Sequence, residues 1–522
     1  MADERIEICS WDAPFEDQRV LSKLSKILPD FVTGARWYRA KARAMQRLTV
    51  VDAIPIGPAF VLVFTVEYED GGCDEYMLPV TAIRSQHAVG NEQPICTVQA
   101  RDGSEGGFHS ALSDARFRQV LLEAVVCNRA FTGRSSELAA QRTKALDADC
   151  PGAAQVLDSF VSRAEQSNTS IVYGDRYILK LFRKLEQGIN PDIEIGKFLT
   201  ERGFKNTPAL LGEIKYKREH GASAAGILQQ FVRNQGDAWS YTLKALDGFF
   251  NRATGDPSEF RTGHPLELAR HEPPPGVCSL LGEYAESTAL LGKRTAQMHA
   301  AFEDESAGPD FVPEPFTTGD AEKLYRSMLS QADIAFELLR RKQAVLAGAA
   351  AEEGQAVLRM ESEVMNRFAG LRDSCISALK IRHHGDYHLG QVLYTGSDFV
   401  IIDFEGEPAR PLPERRAKAL AMRDVAGMLR SFQYAAYSAS FATGGGAEPW
   451  AEFWAAWAAA VYLKAYLSEA DGLRSVPANP EEQRLLLDAF LLQKALYELA
   501  YELNNRPDWV RIPLRGILSL IT

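Results

Sequence analysis

The sequence predicts an α+β protein with two lobes and a further β-rich domain at its N-terminal end. Residues 47–101 carry many β-branched and aromatic side chains between turn residues, which is typical of a small sheet. A second β-rich stretch follows at 167–232. From about residue 236 the apolar residues recur at helical spacing. A chain of 522 residues has room for about three domains of roughly 150 residues each.

The composition indicates a globular protein and excludes several classes of function. Hydrophobic residues make up 46% of the chain and charged residues 24%, which excludes a disordered chain or a coiled-coil rod. The net charge of −11 argues against nucleic-acid and anionic-membrane partners, because both need a basic surface. No apolar run reaches 18 residues, the N-terminal residues are acidic, and the seven cysteines form no CxxC pair. We therefore expect a cytoplasmic protein with reduced thiols.

The order of the elements predicts a cap domain over residues 1–110, a nucleotide-binding lobe over 111–234 and a mostly helical lobe over 235–522. In the middle part, 167–182 reads as two strands around a Gly174-Asp175 turn. A helix follows, with Asn190 as its N-cap and Pro191 at its first position.

The helical lobe is predicted to hold one short pair of strands among its helices. Asp237 is a candidate N-cap for the first helix. The strands are expected at 376–386 and 397–407, and the stretch 132–150 is expected to be a connector. Helices are predicted over 238–251, 283–303, 320–345, 351–372, 418–440, 448–469 and 481–504.

The motif with the clearest chemistry begins at His384-Gly385-Asp386. Gln391 follows Asp386 by five positions, and Asp403 follows it by 17 positions at the end of an apolar strand. This spacing resembles that of kinase-like phosphotransferases, in which an Asp orients the acceptor hydroxyl and an amide and a second Asp hold magnesium. Mg²⁺ prefers such hard oxygen ligands. The alternative is a chance turn followed by an ordinary strand end.

A second group of residues fits the nucleotide. Ser167, Asn168 and Thr169 are predicted to form a short polar loop whose N–H groups and hydroxyls could cover phosphates. Lys180 shares a strand face with apolar neighbours and needs a carboxylate partner, for which Glu194 on the next helix is the candidate. Alone, the pair would also suit an exposed lysine and an ordinary helix glutamate.

Four long segments carry a resemblance to a known family. They read EQSNTSIVYGDRYILKLFRKLEQGINPDIEIGKFL, HGDYHLGQVLYT, VIIDFEGEPARPLPERRAKALAMRDVAGMLRSFQYAA and KALYELAYELNNRPDWVRIPLRGI. Together they resemble the bacterial maltokinases, including the maltokinase domains fused to trehalose synthases. The resemblance implies a fold like that of eukaryotic protein kinases and aminoglycoside phosphotransferases, with an N-terminal cap. It further implies transfer of phosphate from ATP, with Mg²⁺, to the anomeric hydroxyl of maltose.

The same resemblance implies roles for single residues. Asp386 would be the catalytic base, Gln391 and Asp403 the magnesium ligands, and Lys180 a phosphate contact. The acceptor residues would be His388, Arg423, Asp424, Tyr497, Glu498 and Arg506. Without the family, Tyr497 reads as a core residue and Glu498 as part of a solvated stripe. An Arg506–Asp424 salt bridge is a rival explanation for that arginine.

Two other functions stay open at this point. The first is a kinase of glucosamine or another sugar on the same scaffold. The second is a non-catalytic partner of a trehalose synthase, against which the intact Lys180, Asp386 and Asp403 argue.

Overall fold

The computed structural model describes residues 5–85, 93–149, 156–162, 168–260, 263–442 and 446–521. The chain forms two compact units, one of residues 1–203 with 208–233 and the other of residues 204–207 with 234–522. The two expected N-terminal domains thus share one unit, and the boundary between residues 110 and 111 stays a prediction. Across the ranges just given, no helix has both the length and the apolar character of a membrane span.

The first unit is built mainly of strands. Its strands are β1 (Ile6–Ile8), β2 (Met45–Ile56), β3 (Ala59–Tyr68), β4 (Cys73–Arg84), β5 (Cys96–Ala100), β6 (Glu105–Ser110), β7 (Ala130–Thr132), β8 (Ser136–Arg142), β9 (Ser159–Val161), β10 (Asn168–Tyr173), β11 (Tyr177–Phe182), β12 (Lys184–Leu185), β13 (Leu210–Arg218) and β14 (Gly221–Gln230). Its helices are α1 (Gln18–Gly34), α2 (Ala115–Val126), α3 (Lys144–Asp149) and α4 (Pro191–Glu201).

These strands make two sheets, each of seven strands within the described residues. The N-terminal sheet has the order β1-β5-β6-β4-β3-β2, and β12 joins it through β4. The second sheet has the order β7-β8-β13-β14-β11-β10-β9. Lys180 lies on β11, as predicted. The next strand, β12, directly follows β11 and pairs with β4 of the N-terminal sheet.

Strand alternation divides the cap core into two sides. On β3, Leu62 and Phe64 face one side and pack in a cluster with Leu24 of α1. Val61 and Val63 face the other side and belong to a cluster that also contains residues of the second sheet, among them Ile171, Leu179 and Leu181. The N-terminal sheet and the second sheet therefore share one apolar core.

The second unit is mostly helical. Its helices are α5 (Ala238–Arg252), α6 (Pro265–Ala269), α7 (Pro275–Leu281), α8 (Glu283–Phe302), α9 (Thr318–Lys342), α10 (Gly348–Arg359), α11 (Glu361–Asp373), α12 (Leu412–Arg415), α13 (Met422–Ala442), α14 (Glu448–Glu469), α15 (Pro480–Asn505) and α16 (Arg511–Ile521). Its short strands are β15 (Glu314–Pro315), β16 (Leu379–Lys380), β17 (Val392–Tyr394) and β18 (Phe399–Ile401).

The local signals for the elements around the site are confirmed. Asn190 caps α4 by accepting from the Asp192 N–H, with Pro191 at the first position, and Asp237 caps α5 by accepting from the Ser240 N–H. β10 and β11 pair across the turn at Gly174, whose φ of +56° is a conformation that glycine adopts without strain.

Several element predictions are wrong in extent. The expected connector at 132–150 contains β8 and α3, because the alternating burial of the sequence SELAAQR fits a strand. The helix expected over 351–372 is two helices that meet at Met360. The strand expected over 376–386 is reduced to Leu379–Lys380, since the chain after it forms the loop of the candidate site.

Candidate active site

The predicted catalytic loop lies between β16 and β17 of the second unit. Gly385 has a φ of +86°, which L side chains rarely adopt, and a Cβ there would lie 3.3 Å from the Gly406 Cα. His388 ends the loop by accepting the Gly390 N–H on Nδ1, at 3.1 Å. This tight backbone presents the Asp386 side chain at a half-buried position.

Asp424 holds this loop from behind. Its Oδ2 accepts the backbone N–H of His384 at 2.7 Å, and its Oδ1 accepts that of Gly385 at 3.0 Å. Burial raises the pKa of Asp424, but the hydrogen bond from His299 and the nearby histidine charges outweigh it and hold that pKa well below the usual range. Asp424 was expected to bind the sugar. Both its oxygens accept backbone N–H groups of the loop, and a sugar contact for it stays a prediction.

Asp386 is paired with a lysine that the sequence did not single out. Lys494 of α15 places its Nζ 3.1 Å from Asp386 Oδ1 and 3.3 Å from Glu407 Oε1. Burial lowers the pKa of Lys494, while the charges of Asp386 and Glu407 raise it by more, so the ammonium form is favoured. One cation therefore joins two carboxylates at the site.

Glu407 is the most heavily paired carboxylate of this group. Its Oε2 lies close to Arg410 Nε, at 2.5 Å, and to Arg423 Nη2, at 3.3 Å. Burial raises the pKa of Glu407, but the charges of Lys494, Arg423 and Arg410 together lower it to about 2.

A small pocket opens at Asp386. Of the six acceptor residues expected from the sequence, Arg423, Asp424 and Tyr497 line it. His388 lies beside it, with Nε2 4.0 Å from Asp386 Oδ2. The other lining residues are Gln331, Gly385, Tyr387, Glu407, Arg410, Gly427, Phe490, Gln493 and Lys494.

Glu498 and Arg506 are engaged elsewhere. Glu498 Oε2 accepts from Arg430 Nε at 2.9 Å and Nη2 at 2.5 Å, and this arginine is buried. Arg506 donates to both oxygens of the buried Glu502, at 2.9 and 2.6 Å. The rival Arg506–Asp424 salt bridge is therefore wrong. Neither Glu498 nor Arg506 lines the pocket at Asp386, so a sugar contact for them stays a prediction.

The two expected magnesium ligands lie side by side. Gln391 Nε2 donates to Asp403 Oδ2 at 2.9 Å, and both side chains are half-buried. Asp403 has a φ of +66°, an unusual value for a residue other than glycine and one that is concentrated at functional sites. An amide and a carboxylate are oxygen donors of the kind that Mg²⁺ takes, so these residues fit the ion.

In the first unit, Lys180 lies on β11 as expected but has a different partner. Its Nζ is 3.2 Å from Asp192 Oδ2, and both side chains are buried. This corrects the choice of Glu194 as the counter-ion. Side chains two residues apart on an α-helix differ in direction by roughly 200°, so Asp192 and Glu194 do not share a face of α4. The sequence identified the right helix but not the right residue.

The expected polar phosphate loop is also corrected. Asn168 and Thr169 are the first residues of β10 and are buried, not part of a loop. Thr169 Oγ1 accepts from Arg183 Nε at 2.9 Å. Ser167 lies outside the described residues.

Sequence reasoning missed Glu407, Arg410 and Lys494. One signal was available, because Lys494 lies three positions before Tyr497 and four before Glu498, and residues at these spacings share a helix face. A lysine on an amphipathic helix is usually solvated, however, and only the fold shows that α15 brings this one to Asp386.

Residues 31–114 match the maltokinase N-terminal cap domain. A glucosamine kinase of Mycolicibacterium smegmatis is 24% identical over 360 residues, covering 68% of this chain and 78% of that protein. A glucosamine kinase of Streptacidiphilus jiangxiensis is 25% identical over 385 residues, covering 71% and 77%.

Solved structures give the same fold. A glucosamine kinase in complex with glucosamine, ADP and inorganic phosphate superposes with a TM-score of 0.60 at 19% identity, covering 94% of this chain and 99% of that one. A second crystal form of a glucosamine kinase gives 0.60 at 21% identity, with the same coverage.

The fold and the site define a phosphotransferase of the kinase-like class, which is an ATP-dependent enzyme. The chain resembles the maltokinases in its N-terminal cap and the glucosamine kinases over most of its length.

Proposed function

We propose that this protein transfers the γ-phosphoryl group of ATP to the anomeric hydroxyl of maltose, giving maltose 1-phosphate and ADP. The observation that carries the proposal is the position of Asp386 in a pocket of the second unit, on a loop whose spacing to Gln391 and Asp403 is that of kinases.

Asp386 serves in this reaction as the group that accepts the hydroxyl proton. The O–H bond of the sugar breaks as its oxygen forms a bond to the γ-phosphorus, and the bond from that phosphorus to ADP breaks. Lys494 contacts Oδ1 of Asp386 and fixes the orientation of the carboxylate. Such positioning contributes much of the rate enhancement in phosphoryl transfer.

The nucleotide residues are assigned by chemistry. Gln391 and Asp403 would hold Mg²⁺, which neutralises charge on the phosphates when it is bound. Lys180 would contact the phosphates, with Asp192 holding it in place. The residues proposed to contact the nucleotide also include Ser167, Asn168, Thr169 and Glu194.

The charges of the pocket support a neutral acceptor over an amino sugar. Glu407 is occupied on Oε1 by Lys494 and on Oε2 by Arg410 and Arg423, and Asp424 is taken up by backbone N–H groups. Since Glu407 and Asp424 are already bound by groups of the protein, an ammonium group would have to compete with Lys494 for Asp386. Maltose has no such group.

Glucosamine is the second candidate, because the relatives at 24% and 25% identity are glucosamine kinases. A panel of maltose, glucosamine, glucose and trehalose with ATP and Mg²⁺ decides between the two. We expect ADP release with maltose, and a phosphorus–carbon coupling at C1 of the product by NMR.

Asp386→Asn is the matched control and should be inactive with every sugar. Turnover of glucosamine with maltose inert would replace maltose by the second candidate. If neither wild type nor variant turned over any sugar, the result would support the hypothesis of a non-catalytic protein. A trehalose synthase as partner stays a prediction.

A further inference from the structure

Two neighbouring residues of helix α8, Arg294 and Thr295, contact the candidate site. Arg294 donates from Nε and Nη2 to both oxygens of Asp398, each at 2.8 Å, in the turn between β17 and β18. Thr295 Oγ1 lies 2.9 Å from the hydroxyl of Tyr387, the residue that follows Asp386. Arg294 and Thr295 are adjacent in sequence. Arg294 holds the turn after β17, and Thr295 holds Tyr387 within the loop that ends in Gln391.

A third contact, at His299, reaches the loop through Asp424. His299 Nε2 lies 3.3 Å from Asp424 Oδ2, the same oxygen that accepts the His384 N–H. His299 Nδ1 lies 2.9 Å from the hydroxyl of Tyr466 on α14. His299 and Tyr466 are fully buried, and Asp424 is 2% exposed.

The partners of His299 determine which nitrogen carries hydrogen. Asp424 only accepts as a carboxylate, so Nε2–H donates to it. In the tautomer that donates from Nε2, Nδ1 is the acceptor and the Tyr466 hydroxyl donates to it. The chain of donors thus runs from Tyr466 through His299 to Asp424, and its orientation is set by partners that water does not reach.

We propose that His299 is a positioning residue for phosphoryl transfer, which with Tyr466 fixes Asp424 and thereby the backbone that presents Asp386. The activity part of this proposal rests on the proposed function. Nothing in it requires His299 to touch substrate. Gly385 has a φ of +86°, and the hydrogen bond from its N–H to Asp424 holds the loop in this conformation.

The test uses the full chain with four substitutions. His299→Asn cannot reach Asp424, His299→Gln places an amide N–H near the Nε2 position, and Tyr466→Phe removes only the hydroxyl. Tyr284→Phe is the matched control, because it breaks a buried hydrogen bond of 2.8 Å to Thr242 in the same unit.

We expect His299→Asn to lower kcat about 10- to 100-fold with both KM values unchanged, since small misplacements at a site have effects of that order. His299→Gln should recover most of kcat. Tyr466→Phe should lower kcat by a smaller factor, and Tyr284→Phe should leave it unchanged. Hydrogen exchange of the amides at 384 and 385 should be faster in His299→Asn and Tyr466→Phe than in Tyr284→Phe.

The exchange measurement separates this proposal from the proposed function, because it needs no turnover. If no sugar is a substrate but exchange responds as described, the function is wrong and the clamp stands. If exchange at 384–385 is the same in Tyr466→Phe and Tyr284→Phe, the clamp is overturned, whether or not His299→Asn folds. A rise in KM with kcat unchanged would overturn it as well.

Discussion

Two lysine–carboxylate pairs, Lys180–Asp192 in the first unit and Lys494–Asp386 in the second, have similar distances and different surroundings. Their N–O distances are 3.2 and 3.1 Å. In the first unit the side chains are 9% and 1% exposed, and in the second unit they are 20% and 21% exposed. The Lys494 pair shares its cation with Glu407 and lines a pocket. The open pair, Lys494–Asp386, can exchange a partner for substrate. The more buried, sealed pair, Lys180–Asp192, fixes the lysine that is proposed to contact the phosphates.

The largest effect should come from the carboxylate of the open pair. Asp386→Asn keeps the shape of the side chain but removes its basicity, so kcat should fall on the order of 10²–10⁴-fold, the range for a lost general base. ATP affinity, measured by calorimetry, should stay within about twofold. Glu322→Gln, at an exposed ion pair of α9, is a control for the loss of one carboxylate. Equal activity of Asp386→Asn and wild type would remove Asp386 from its role.

The sealed pair should show its effect in stability. Lys180→Met leaves Asp192 buried without the cation that lies 3.2 Å away, and breaking such a pair costs about 3–5 kcal/mol. The double variant with Asp192→Asn should recover much of this loss in urea unfolding. Glu194→Gln, on the same helix, is the comparison. If Glu194→Gln proved as destabilising as Asp192→Asn, the assignment of Asp192 as the counter-ion would be wrong.

Loss of the cation in the open pair should have a smaller effect on catalysis. Lys494→Met removes a hydrogen bond between charged groups, and such bonds contribute about 1.5–3 kcal/mol, so kcat/KM for the sugar should fall roughly 10- to 150-fold. KM for ATP should not change. Lys494→Arg keeps the charge and should lie between wild type and Lys494→Met. The role of Lys494 would be refuted by a loss confined to the KM for ATP.

The smallest effect is a change in acid sensitivity at Glu407. The pKa of Glu407 in the folded protein is about 2, below the ordinary value of 4.5 for a glutamate. Its contribution to stability is therefore full above pH 4.5 and is lost as the pH falls towards 2. Glu407→Gln lacks this titration, and its Tm should fall less steeply than that of wild type across this window. Glu322→Gln, at an exposed pair, should follow wild type. A Glu407→Gln curve parallel to wild type would contradict the prediction.

Local signals in the sequence were enough for the helix starts near the site and for grouping the candidate residues of the loop. Caps such as Asn190 and Asp237 act within a few residues, and Asp386, Gln391 and Asp403 belong to one continuous stretch. Lys494 could not be assigned, because its partner is 108 positions away in sequence and only packing brings them together.

Asp424 shows a different limit. A buried carboxylate near a sugar motif suits either a ligand contact or a backbone clamp, and only its two N–H partners decide for the clamp. The sequence also could not decide which of Asp192 and Glu194 faces Lys180. The rotation of α4 about its own axis decides this, and it is set by the packing of Ile195 and Leu199, both of which are buried.

The strand β12 has a consequence for how the protein can be divided. Lys184 and Leu185 pair with Tyr76 and Glu75 of β4, four and five residues after Lys180. The apolar sides of the two sheets also meet in one cluster. The N-terminal part is therefore not a module that can be cut away or transplanted. A chain shortened to begin at residue 111 would expose the back of the sheet that carries Lys180 to water and tend to aggregate, and the whole first unit should melt in one cooperative step.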